Sequence, residues 1–112
     1  MINIENLSEN WTQTETFTKG QVIISEGEST NGKMYIIQKG SVAVYKNYRK
    51  YGEICIADLP TGAIFGEMEL LLNMERTDSI VATEDVTTLV IERADAFEFL
   101  KNRPEVTFSL IH

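Results

Sequence analysis

Histidine is almost missing from this chain of 112 residues: the single one, His112, is the last residue. No Ser–His–Asp or Cys–His arrangement can be assembled around it, and a metal site built from clustered histidines is excluded. Cysteine is as scarce. Cys55 stands alone and forms no internal disulfide, which favours a reducing compartment. Within the alternating stretch Ile54-Cys55-Ile56-Ala57 it reads as a small buried hydrophobe, not a nucleophile. No apolar run approaches the roughly 18 residues of a membrane span, and Met1-Ile2-Asn3-Ile4-Glu5-Asn6 has no basic segment leading into an apolar one. A soluble, cytoplasmic protein is expected. Positive charge is in deficit: 10 Lys and Arg against 17 Asp and Glu give a formal net charge of −7. A field of that sign repels nucleic acids and anionic membranes, so neither is an expected partner, and an anionic ligand must be held by a local positive site. The basic residues gather once, at Lys46, Arg49 and Lys50, interleaved with Tyr48 and Tyr51. A solvated hairpin loop explains that cluster better than a nucleic-acid patch. Carboxylates are plentiful, yet a chain this short leaves little room for a substrate cleft, and no enzyme is expected.

What is present fits one domain with an ordinary core, at 43% hydrophobic and 24% charged residues. Glycines punctuate it: Lys19-Gly20, Glu26-Gly27, Asn31-Gly32, Lys39-Gly40, Tyr51-Gly52 and Thr61-Gly62 each separate short apolar stretches. Those stretches are β-branched or aromatic and predict strands at 22–24, 34–37, 42–45, 54–59, 63–65, 79–82 and 88–91. The class is mainly β, a sandwich or a closed roll, with a short inserted helix and helical character again at the C-terminal end. The inserted helix is expected from Glu67 to Leu72, where helix formers run without a turn residue. Helical character returns after Arg93. Asp95 with Glu98 resembles a capping box, and Ala96, Phe97, Phe99 and Leu100 give an apolar face. Pro104 fits the first turn of a last helix, Glu105 to His112, which carries no C-cap. The expected organisation is an N-terminal segment 1–12, a roll 13–92 and helices 93–112, with a homodimer through the last helix as a possible assembly.

The informative stretch is Phe65-Gly66-Glu67-Met68-Glu69-Leu70-Leu71-Leu72-Asn73-Met74-Glu75-Arg76-Thr77. A strand ends, Gly66 lets the backbone bend closely, and a helix begins whose first N–H groups lack intrahelical partners and attract anions. Arg76 lies just beyond that helix, and its planar fork can hold two oxygens of a phosphate. Glu67 can accept from a sugar hydroxyl and orient Arg76. The plainer alternative is that Arg76 neutralises its neighbours Glu67, Glu69, Glu75 and Asp78.

The same stretch resembles the phosphate-binding cassette of the cyclic-nucleotide-binding domain family, which includes bacterial catabolite activators and the regulatory subunits of cyclic-AMP-dependent protein kinase. The resemblance runs along nearly the whole chain. Phe17, Lys19-Gly20, Ile23 and Glu26-Gly27-Glu28 fit the opening strands, and Met34 to Gly40 with Val42 and Val44 fit the next hairpin. Leu59, Gly62, Phe65-Gly66-Glu67, Leu70 and Arg76-Thr77 follow, with a nine-residue gap from Glu67 to Arg76. The family implies an antiparallel β-roll flanked by helices and a regulatory, non-enzymatic role. It implies that Glu67 binds a ribose 2′-hydroxyl, that Arg76 binds the cyclic phosphate, and that the backbone from Phe65 to Met68 helps hold both. Thr77 would bond the phosphate or a guanine amino group, which leaves cyclic AMP and cyclic GMP both open as the ligand. No cofactor is implied.

Two residues depart from the pattern. Glu69 stands where the family has a small residue, and Asp78 where it has alanine, so two extra carboxylates lie near the expected phosphate. Strand alternation would put Thr77 and Asp78 on opposite faces. The rival reading is a degenerate roll used for protein interaction, with Arg76 tied internally to Glu67 or Glu69.

Overall fold

The computed structural model describes residues 13–101. Eight strands and two helices follow in the order β1 (Thr14–Phe17), β2 (Val22–Ile24), β3 (Lys33–Lys39), β4 (Val42–Lys46), β5 (Ile54–Leu59), β6 (Ile64–Phe65), α1 (Glu67–Leu72), β7 (Ser79–Ala82), β8 (Val86–Glu92) and α2 (Arg93–Lys101). They form two four-stranded antiparallel sheets, ordered β1-β8-β3-β6 and β2-β7-β4-β5. The protein is mainly β, as expected.

Strand β3 explains how the layers are built. Its run Met34-Tyr35-Ile36-Ile37 is almost wholly buried because both faces are covered. Tyr35 and Ile37 point between the sheets, with Phe17, Val42, Phe65, Val86 and Val90. Met34 and Ile36 point the other way, against Leu70 of α1 and Ala96, Phe99 and Leu100 of α2. The period-two alternation of a strand divides one apolar run into two cores. Strand β8 does the same in register, with Tyr35 opposite Val90 and Ile36 opposite Leu89. In the inter-sheet core the Tyr35 ring stacks on Phe65 at 5.0 Å and meets Phe17 edge-on at 6.1 Å.

Several expectations change. Cys55 is exposed, not buried: β5 is the outer strand of its sheet, and Ile54 and Ile56 are exposed beside it. Strand β5 is held by its ladder to β4, so an apolar strand pattern gives no buried face there. Helix α2 begins at Arg93, whose N–H donates to the Gly32 carbonyl at 2.9 Å. Asp95 is therefore in the first turn instead of at the N-cap, where its charge still favours the helix dipole. Phe97 faces away, 76% exposed, while Phe99 is fully buried. Of the basic cluster, Arg49 and Lys50 lie in the β4–β5 hairpin turn as expected, but Lys46 belongs to β4 and pairs with Asp78. The helix expected after Pro104, and the self-association expected through it, lie outside the described residues, as does the segment 1–12. None of the described helices is long and apolar enough to cross a membrane.

Candidate functional site

Gly66 joins β6 to α1 with φ 83°, a left-handed conformation that side chains disfavour. Space is tight as well: a Cβ would stand 3.1 Å from Arg76 Nη1 and 3.3 Å from Ile24 Cδ1, so both side chains would have to give by a few tenths of an ångström. Helix α1 then runs six residues to Asn73, a left-handed C-cap at φ 53°, and Met74 N–H closes the turn on the Glu69 carbonyl at 3.0 Å. The chain doubles back and reaches the β2–β3 loop at Arg76. There the Arg76 N–H donates to the Glu28 carbonyl and the Gly27 N–H donates to the Arg76 carbonyl, each at 2.8 Å. Backbone pairing on both sides fixes where this side chain starts.

The guanidinium goes inward, and Arg76 is only 3% exposed. Nη1 donates to the Gly66 carbonyl at 2.7 Å, and Nη2 donates to the Lys33 carbonyl at 2.9 Å and to Asn31 Oδ1 at 3.0 Å. All three acceptors are neutral. The ion pairs among the described residues are Lys33 with Glu15 and Lys46 with Asp78, so Arg76 has no carboxylate partner there. Among the described residues Glu67, expected to orient Arg76, makes no hydrogen bond to it, and the rival tie of Arg76 to Glu67 or Glu69 is not formed. A buried cation held by neutral dipoles retains positive potential that a carboxylate would have cancelled.

Asn31 is the residue that sequence reasoning missed. Its Oδ1 also accepts from Lys33 N–H at 3.1 Å, and its Nδ2 donates to the Tyr35 hydroxyl at 2.9 Å. The asparagine thus locks Arg76 to strand β3. Asn31-Gly32 reads as a turn, and nothing in the spacing shows that its side chain meets an arginine 45 positions away.

The other candidates fall around this centre. Phe65 is a core residue stacked on Tyr35, so only its main chain can reach a ligand. Met68 is 40% exposed on α1. Glu67 is half-buried at the start of the same helix. Burial pushes its carboxyl above the ordinary carboxylate value and the charge of Glu69 adds to this, while its own backbone amide and Arg76 pull it back. Thr77 and Asp78 precede β7 and are not in a strand, so alternation does not separate them. The Thr77 hydroxyl donates to Asp78 Oδ2 at 3.1 Å, and Asp78 Oδ1 pairs with Lys46 Nζ at 3.2 Å. The arrangement offers a buried cation, a glycine-bent backbone and an adjacent carboxylate. That set suits a ligand carrying both an anion and a hydroxyl.

Residues 14–103 match the model of the family described as the cyclic nucleotide-binding domain. The chain belongs to that family. Among relatives, the cyclic AMP receptor protein of Thermus thermophilus is 30% identical over 105 residues, 94% of this chain and 48% of its own length. The cAMP-dependent protein kinase type II regulatory subunit of Drosophila melanogaster is 33% identical over 87 residues, 78% of this chain and 22% of its own. Among solved structures, the EAL enzyme Bd1971 bound to cAMP and cyclic-di-GMP is 39% identical, with a TM-score of 0.69 over 78% of this chain and 23% of that one. This cyclic nucleotide-binding domain therefore spans about half the length of the bacterial receptor and less of the others. Its β-roll is the family fold, and its family is a regulatory, ligand-binding one.

Proposed function

We propose that this domain binds a cyclic nucleotide and acts as the sensor of a signalling or transcription-regulating protein, without catalysis of its own. Arg76 takes the cyclic phosphate together with main-chain groups from Phe65 to Met68. Glu67 accepts from the ribose 2′-hydroxyl, Thr77 borders the phosphate, and Asp78 lies at the rim. Base identity is left between adenine and guanine. The observation that carries this reading is the Arg76 guanidinium, buried yet bonded, among the described residues, to neutral oxygens alone. Of its five N–H donors, three go to those oxygens, which leaves two for an anion. Charge-assisted bonds of that kind contribute about 1.5–3 kcal/mol each. The exposed, unpaired Cys55 fits a reducing cytoplasm.

Occupancy becomes a signal only if some element contacts the site differently with and without ligand. Helix α1 is placed for this, because its C-cap Asn73 accepts through Oδ1 from Arg93 Nη1 of α2 at 3.0 Å. Titration calorimetry with cyclic AMP and cyclic GMP tests the proposal. Saturable binding that Arg76→Ala abolishes is expected, and absence of heat at millimolar ligand removes the sensor reading.

A further inference from the structure

Thr77 carries two hydrogen-bond donors beside Arg76, and both are directed at carboxylates. Its N–H donates to Glu69 Oε1 at 3.4 Å and its hydroxyl donates to Asp78 Oδ2 at 3.1 Å. Neither acid is neutralised by Arg76, whose bonds go to Gly66, Lys33 and Asn31. Asp78 is further anchored by Lys46, which reaches across from β4 to Asp78 Oδ1 at 3.2 Å and also donates to the Thr77 carbonyl. Glu69 and Asp78 are both partly exposed, so either side chain can leave for solvent without opening the core.

A carboxylate and a phosphate ask the same thing of a donor: each places an anionic oxygen on its hydrogen, and a hydrogen serves one at a time. Two such anions within a few ångströms also repel. We propose that Glu69 and Asp78 are internal competitors for the phosphate, seated on the two Thr77 donors that the ligand would take. The affinity of the domain is then set by an exchange of anions. This rests on the reading of the site as a cyclic-nucleotide site.

The test is titration calorimetry of the full chain with cyclic AMP and with cyclic GMP, in wild type, Glu69→Gln, Asp78→Asn and Glu75→Gln. The amide variants keep side-chain shape, and thermal unfolding checks that each is folded. Glu75 is the control: an exposed acid next to Arg76 in the chain, seated on neither Thr77 donor. Glu69→Gln and Asp78→Asn should each tighten binding about fivefold, equally for both nucleotides because the phosphate is common to them, while Glu75→Gln changes it less than twofold. Three results overturn it while the sensor reading stands: unchanged affinities, equal gains in all three variants, or a gain confined to one nucleotide. No binding by any form overturns the sensor reading and this proposal with it.

Discussion

Glu67 is a carboxylate whose surroundings favour its proton. Burial raises its pKa above the ordinary 4.5, the neighbouring Glu69 raises it further, and Arg76 with the local backbone amide opposes both. An acid with a higher pKa folded than unfolded holds more protons in the folded state, so stability falls as pH rises through that interval. At neutral pH the ionised Glu67 therefore costs stability. Glu67→Gln should unfold at a higher temperature than wild type at pH 7, with the gap closing as the buffer approaches pH 4.5. A gap that widens on acidification would show the opposite shift. Arg76 stood out in the sequence by its place after a glycine-led helix and by the family resemblance, and the structure buries it against the Gly66 carbonyl. Its surroundings were not legible in the sequence. Two of its acceptors are main-chain carbonyls, which every residue has, and the third belongs to Asn31, brought near by a fold that spacing alone does not describe.

The elements read from sequence were those whose burial follows from their own pattern. Strands β3, β4, β7 and β8 carry continuous β-branched or aromatic runs because each is covered, and glycines bound β3 and β4. Strand β1 has one apolar residue in Thr14-Glu15-Thr16-Phe17 and exists through its ladder to β8, so no local signal marks it. Helix α2 shows the same limit in another form. Phe97 and Phe99 both belong to an apolar stretch, and pattern alone assigned both to the buried face. The roll decides between them: Phe99 is fully buried against Met34, Ile36 and Leu89, and Phe97 is 76% exposed. Phe99→Ala should cost about 3–5 kcal/mol, since it leaves a cavity where α2 meets the outer face of its sheet. Phe97→Ala should change stability by about 0.5 kcal/mol or less. Urea denaturation measures both, and comparable losses would mean that Phe97 is covered in solution.

At the scale of the molecule, two fields of opposite sign act on an incoming phosphate. The formal net charge of −7 repels it from a distance, whereas Arg76 attracts it only once it has entered a site sheltered from solvent ions. Salt treats the two differently. The Debye length is about 30 Å at 10 mM, enough to let repulsion act across a domain of this size, and about 8 Å at 150 mM. Added salt thus screens the distant repulsion while leaving the short contact at the guanidinium largely intact. The association rate of a fluorescent cyclic nucleotide, followed by stopped flow, should rise about threefold between those ionic strengths, and the dissociation rate should change much less. Association that slows with salt would mean that exposed cations, with Lys46 the nearest to Thr77 and Asp78, steer the ligand inward and outweigh the acidic surface. The direction of that one dependence separates a buried local charge from a surface funnel as the source of anion capture.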